Sequence, residues 1–172
     1  VNDAAFVIVP LVSSHDRASF TCGIEPLDRY FRQQASQDVR RRVATCFVIV
    51  AAATGALAVY YTLAATSVLL RELPESIAAN LPHYPSIPAV LLGRLAVAAS
   101  FQGRKLGAVV LADAVARAAR ANIASFAVVV DPKDTNAQQF YQHHGFLDLP
   151  PPERRMFVPI ESAVRFFRSV AR

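Results

Sequence analysis

Cysteine is scarce in this chain. The 172 residues hold two, Cys22 and Cys46, and neither stands in a C-x-x-C pair or a Cys/His cluster. Two are too few for a disulfide scaffold, and their isolation argues against a zinc site. They read as reduced core thiols. Charge is sparse as well: 18% of residues are Asp, Glu, Lys or Arg, against 53% apolar. That balance excludes disorder and predicts a well-filled interior. Val1-Asn2-Asp3 carries no basic segment ahead of an apolar run, so a cytoplasmic protein without an export signal is expected. No repeat, low-complexity tract or linker divides the sequence, which predicts one domain over residues 1–172.

The longest gap in charge runs from Val43 to Leu70. Its length and hydropathy alone would suit a membrane span. Thr54-Gly55 near its middle marks a turn, and the flanking residues are β-branched and aromatic: Phe47-Val48-Ile49-Val50, then Val59-Tyr60-Tyr61-Thr62. Two antiparallel strands buried on both faces are expected, and no membrane association. Where charge is present it is basic. Eighteen Lys and Arg against 13 Asp and Glu leave a formal net charge of +5, which favours a polyanionic partner or an anionic cofactor.

Other elements follow from local pattern. Val7–Val12 predicts a first strand. Pro26 suits the first turn of a helix continuing to about Arg42, with Leu27, Tyr30, Phe31, Ala35 and Val39 as its buried stripe. Asp28, Arg29, Arg32, Gln33 and Arg40-Arg41-Arg42 fall on its polar face. Pro74 opens a short helical piece ending near Asn80, and the three prolines between Leu81 and Pro88 predict a loop. Val90–Val97 predicts a strand, Lys105–Ala121 a helix and Ser125–Val130 a strand. Asn136–His144 predicts a helix with Gly145 at its C-terminus, and Met156–Ile160 a last strand before a helical tail. Alternating strands and helices give an α/β fold with a mixed sheet.

The chemistry concentrates between Leu95 and Ala108. A strand ending Leu95-Ala96-Val97 enters a turn, Ser100 to Gly103, that opens a helix. Amides at a helix N-terminus bind phosphate, and glycines let a ligand approach the main chain. Arg104 and Lys105 add positive charge. An ordinary strand-turn-helix connection is the alternative.

Gln102-Gly103-Arg104-Lys105-Leu106-Gly107-Ala108 resembles the acetyl-CoA motif of the GNAT superfamily of N-acetyltransferases, Q/R-x-x-G-x-G/A. The stretch from Asn136 through Phe140-Tyr141 to Gly145-Phe146 resembles that family's N-x-x-A-x-x-F-Y-x-x-x-G-F helix, with Asn136 as its first residue. The two blocks occur in the family's order. The resemblance implies the GNAT fold and acetyl-CoA as cofactor. The backbone of Leu95, Ala96 and Val97 would pair with the pantetheine arm. Gln102, Gly103, Arg104, Lys105, Leu106, Gly107 and Ala108 would hold the pyrophosphate, with Asn136 and Phe140 at the pantetheine. Tyr141 would protonate the departing thiolate. Lys105 stands where the family usually has glycine. Its side chain would either crowd the pyrophosphate or bind it.

Phe20-Thr21-Cys22-Gly23, Leu27-Asp28-Arg29-Tyr30, Tyr60-Tyr61-Thr62-Leu63-Ala64 and Leu91-Leu92-Gly93-Arg94-Leu95 resemble the GNAT toxins of bacterial toxin-antitoxin modules. That implies acetylation of the α-amino group of aminoacyl-tRNA, arrest of translation, a homodimer, and a ribbon-helix-helix antitoxin as partner. Arg29, Arg32, Arg40, Arg41, Arg42 and Arg94 are the candidate tRNA contacts, since phosphate binding needs cations. Arg94 interrupts an apolar strand, so it either points into a cleft or pairs with a carboxylate. Val90–Val97 has no Asp or Glu to act as base. That suits an α-amine, which titrates near 8, better than a lysine near 10.4. His83 acting through a water is a remoter base, and a solvated loop histidine is preferred. His143 and His144 are adjacent with no third ligand and read as packing or surface residues. The alternatives are a GNAT enzyme acting on a protein N-terminus, polyamine or small molecule, and a non-catalytic subunit of the same fold.

Overall fold

The computed structural model describes residues 5–171. In chain order the elements are β1 (Phe6–Pro10), α1 (Glu25–Gln33), α2 (Ala35–Arg40), β2 (Thr45–Ala51), β3 (Leu57–Leu69) and α3 (Glu75–Ala78). There follow β4 (Ser86–Val97), α4 (Leu106–Arg120), β5 (Ala127–Val130), α5 (Thr135–His143), β6 (Leu147–Asp148), β7 (Met156–Pro159) and α6 (Ile160–Val170). The sheet order is β1-β2-β3-β4-β5-β7-β6. The pair β4–β5 is parallel, while β1–β2, β2–β3, β5–β7 and β6–β7 are antiparallel. This is the mixed α/β sheet expected from the alternation of elements.

The charge-free run becomes β2 and β3, joined through the turn at Thr54-Gly55, where Gly55 takes φ 72°. Val48 faces Tyr60 and Phe47 faces Tyr61 across the pair. Leu57 through Thr62 are all buried. Among the described residues, no helix is long and apolar enough to cross a membrane.

Two compact units are distinguished: residues up to Ala64 with Gly93–Val110, and Ala65–Leu92 with residues from Leu111 onward. The first is organised around aromatic rings. Phe31 and Tyr60 stack 4.2 Å apart at 3°, and Phe20 meets both edge-on at 5.0 and 5.5 Å. Such pairs add about 0.5–1.5 kcal/mol each beyond the burial of their area. The buried Tyr60 hydroxyl donates to the Leu27 carbonyl at 2.7 Å, so its desolvation is offset. Cys22 and Cys46 lie unpaired in the same core. The second unit is built on Val68, Leu73, Ile87, Ala89, Ala127, Val129, Leu149 and Phe157.

Several expectations are corrected. The helix from Pro26 to Arg42 is two helices broken at Gln34, which takes φ −114°. The Tyr30 hydroxyl donates to Asp38 Oδ2 at 2.9 Å. Residues eight apart in one straight helix lie about 12 Å apart along the axis, so the break lets this bond form. The stripe survives, with Tyr30, Phe31 and Ala35 buried and Leu27 and Val39 half-buried. β4 begins at Ser86, which shortens the proline-containing loop. β6 had no signal in two residues.

Asp28, assigned to the polar face, is 3% exposed. Its carboxylate accepts from the Thr21 hydroxyl and the Cys22 amide, both at 2.8 Å, and so ties α1 to the preceding loop. Burial raises its pKa, but the bonds from Cys22 and Thr21 outweigh burial and hold the carboxyl below the usual range. A depressed native pKa gives stability that is present above the unfolded value near 3.9 and lost as pH falls through the native one. Asp28→Ala is therefore expected to cost about 1–3 kcal/mol in urea unfolding at neutral pH. The deficit should shrink in acid, and a deficit that stays constant from pH 7 to pH 3 would contradict the assignment.

Candidate active site

β4 pairs with β5 from Ala89↔Ala127 to Leu92↔Val130 and then runs on through Gly93–Val97. Beyond Leu92 that edge has no β5 partner. The tip of β4 is nonetheless anchored within its own unit, because the Ala98 amide donates to Ala58 O and the Ala99 amide to Thr21 O, both at 2.8 Å. A single 3-10 turn, Ala99–Phe101, leads to Gly103, whose φ is 80°. α4 starts at Leu106.

Among the described residues, the amides of Gly103 to Gly107 donate to no protein group; Ala108 donates to Lys105 O at 3.2 Å. A Cβ built on Gly103 would meet nothing within 4 Å, so the approach to these amides is open. Free amides, an open approach and a helix N-terminus suit a diphosphate. Gln102, expected at the cofactor, braces the turn: its Nε2 donates to Cys22 O at 3.0 Å and Val97 O at 3.2 Å. Arg104 is exposed with its guanidinium 5.1 Å from the Phe101 ring. Lys105 is exposed and takes a left-handed φ of 59°.

Tyr141 lies in α5, 9% exposed, with its ring against Phe140 and Phe146, each at 5.3 Å. Its hydroxyl has no hydrogen-bond partner among the described residues and is not a buried orphan, so its tip remains open. Burial, then the charge of Asp131, pushes its pKa up to about 12. Asp131 is itself gripped by Arg155 through bonds of 2.8 and 3.1 Å. A phenol of this kind stays protonated at neutral pH and suits a proton donor.

Counted back from Phe140-Tyr141, the motif's alanine falls on Ala137 and its first position on Asp134, not Asn136. Asp134 caps α5, its Oδ1 accepting from the Ala137 amide at 2.7 Å. Asn136 is exposed in the first turn.

The arginines divide. Arg29, Arg40, Arg41 and Arg42 are exposed, and their side chains have no hydrogen bond or ion pair among the described residues. Arg32 donates to Phe20 O at 2.6 Å, and Arg17, which sequence reasoning passed over, donates to Phe31 O at 2.9 Å. Arg94 has no carboxylate partner among the described residues. It lies 3.6 Å from the centre of the Tyr30 ring. No sequence pattern pointed to that partner 64 positions away. His144 packs beside Phe140, Phe166 and Phe167, as a packing residue should. Among the described residues, no three metal-ligating side chains gather.

The model for the acetyltransferase (GNAT) domain matches residues 44–147, more than half of the chain. The chain belongs to the GNAT family. A tRNA-acetylating toxin of Mycobacterium tuberculosis (strain ATCC 25618 / H37Rv) is 35% identical over 133 residues, 76% of this chain and 78% of that protein. Among solved structures, AtaT complexed with acetyl-methionyl-tRNAfMet aligns with a TM-score of 0.85 at 27% identity, over 95% of this chain and 99% of its own. AtaTR bound with AcCoA aligns at 0.78 and 26%, over 94% and 98%. In this GNAT chain the motif residues thus form one strand-turn-helix, while α5 carries the phenol.

A cation over a ring is worth about 0.5–1 kcal/mol at a partly exposed site. A double-mutant cycle of Arg94→Ala with Tyr30→Leu should return a stability coupling of about that size. A coupling indistinguishable from zero would show that the stack does not hold Arg94.

Proposed function

We propose that this GNAT enzyme transfers the acetyl group of acetyl-CoA to the α-amino group of aminoacyl-tRNA, and so acts as the toxin of a toxin-antitoxin pair by blocking translation. The observation that carries the reading is the run from Gly93 to Gly107, a strand edge without a β5 partner followed by five free amides. Its similarity to a tRNA-acetylating toxin and to AtaT supports the acceptor. When bound, acetyl-CoA supplies a thioester carbonyl open to attack by an amine.

The chain's own residues divide the remaining work. Main-chain groups of Leu95 and Val97 extend along the pantetheine like a neighbouring strand, and the amides from Gly103 take the diphosphate. Tyr141 Oη gives its proton to the sulfur as the carbon–sulfur bond breaks. The attacking nitrogen would lose a proton to solvent as the amide forms, and the Tyr141 phenolate would regain one from solvent. β4 carries no carboxylate to collect that proton. An ester-linked α-amine needs this help least, because much of it is already neutral near pH 8. Exposed Arg29, Arg40, Arg41 and Arg42 supply phosphate contacts. The proposal extends to one working domain over residues 1–172, a cytoplasmic homodimer and neutralisation by a ribbon-helix-helix antitoxin.

Incubation with labelled acetyl-CoA and total charged tRNA should put label on the aminoacyl group, with deacylated tRNA unlabelled. Equal labelling of both pools would sink the acceptor assignment. Tyr141→Phe is expected to retain fold and acetyl-CoA binding and to lose most turnover. With its pKa near 12, Tyr141 should impose no alkaline loss of kcat between pH 7 and 10. An alkaline limb in that range that vanishes in Tyr141→Phe would contradict the raised value. Replacing Arg40, Arg41 and Arg42 together by Gln should weaken tRNA binding and flatten its salt dependence by roughly one unit of log–log slope per lost contact. An unchanged slope would remove these three from the interface.

A further inference from the structure

Asp131 and Arg155 stand at one end of the β5–β7 ladder. The last pair there joins Val130 to Met156, and these two residues lie one step beyond it. Arg155 closes that end with a fork, Nε donating to Oδ1 at 2.8 Å and Nη2 to Oδ2 at 3.1 Å. A fork fixes the plane of a carboxylate as well as its place. The charges of Glu153 and Glu72 also act on Arg155, yet among the described residues its side-chain bonds go to Asp131. Stability does not account for the pair, because side chains 28% and 48% exposed gain little from pairing in water.

What the fork does hold is the start of a short connection. Asp131 to Asp134 joins β5 to α5, and Pro132 within it is buried. Asp134 caps the helix at the other end, through the Ala137 amide at 2.7 Å. That helix carries Tyr141, whose hydroxyl has no partner among the described residues, and the charge of Asp131 reaches the phenol. A carboxylate released from its guanidinium is a strong acceptor, and a phenol without a partner is the donor it lacks. We propose that Arg155 is a positioning residue for acetyl transfer: by gripping both oxygens of Asp131 it keeps that carboxylate from accepting the Tyr141 hydroxyl, and so leaves the phenolic proton for the departing sulfur. Arg155 itself touches neither substrate nor cofactor in this role. The inference rests on the reading above of Tyr141 as the proton donor.

The test compares the full native chain with Arg155→Met, Arg155→Lys and the double variant Arg155→Met/Asp131→Ala. Transfer from labelled acetyl-CoA to total charged tRNA gives kcat and KM. The Cζ carbon resonance of Tyr141 at neutral pH, assigned by its loss in Tyr141→Phe, reports whether the hydroxyl donates to a carboxylate. Arg155→Met should lower kcat roughly tenfold, the effect of one charge-assisted hydrogen bond, with KM for acetyl-CoA within about twofold of native. Its Cζ resonance should move toward that of a phenolate. Arg155→Lys keeps a cation at Asp131 without the fork and should fall between the two. Removing the freed carboxylate in the double variant should recover most of the lost turnover and return the resonance. A purely structural brace predicts the reverse, a double variant no faster than Arg155→Met, since both halves of the brace are gone. That outcome, or an unmoved resonance in Arg155→Met, overturns the inference and leaves the acetyltransferase reading intact. A native chain that transfers no acetyl group overturns both.

Discussion

A strand that outlasts its partner leaves main-chain donors and acceptors on one edge with nothing of the protein to bond. β4 does so beyond Leu92, and the proposed cofactor site uses that edge. Fraying is the ordinary fate of such a segment. Here it is opposed by the bonds of Ala98 to Ala58 and Ala99 to Thr21, and by the Gln102 amide, which spans Cys22 and the Val97 carbonyl at the end of the open edge. Thr21 and Cys22 are in turn held by the buried carboxylate of Asp28. A charge inside α1 thus secures the loop to which the turn after β4 is tied.

The proposed chemistry has a second requirement, a proton held ready but not lost. A buried phenol meets it because burial disfavours the anion and raises the pKa, whereas burying a lysine would lower its pKa and strip the proton. Asp131 pushes Tyr141 in the same direction as burial. Arg155 satisfies that carboxylate through two bonds, so Asp131 stands beside α5 without demanding Tyr141's hydrogen. Among the described residues the Tyr141 hydroxyl has no partner, and the adjacent rings of Phe140 and Phe146 offer none.

What could be read from the sequence was whatever depends on near neighbours. The absence of charge from Val43 to Leu70, with Thr54-Gly55 inside it, needed no tertiary information to become a hairpin. The strand-turn-helix around Gly103 was likewise legible, because glycine frees the backbone locally. The break at Gln34 was hidden, since the bond that favours it joins Tyr30 to Asp38 and exists only once the helix bends. Asp28 looked like a solvent residue because its partners, Thr21 and Cys22, precede the helix. Asn136 attracted the motif's first position because it is an asparagine, although spacing from Phe140-Tyr141 points to Asp134, the residue that caps α5.

The same dependence on distant partners governs the basic residues, and it changes what the net charge of +5 means. Arg17 and Arg32 spend their donors on the carbonyls of Phe31 and Phe20, and Arg155 on Asp131. Arg94 offers its flat face to Tyr30. All four contribute to the long-range field that draws a polyanion in. As proposed phosphate contacts the arginines differ in what holds them: Arg17, Arg32, Arg94 and Arg155 are each fixed to the fold by a bond or a ring stack, whereas the side chains of the exposed Arg29, Arg40, Arg41 and Arg42 have no such partner among the described residues. A phosphate would meet positioned guanidinium groups in the first set and would have to order the second at a cost in side-chain entropy, so a count of basic residues does not rank them as contacts.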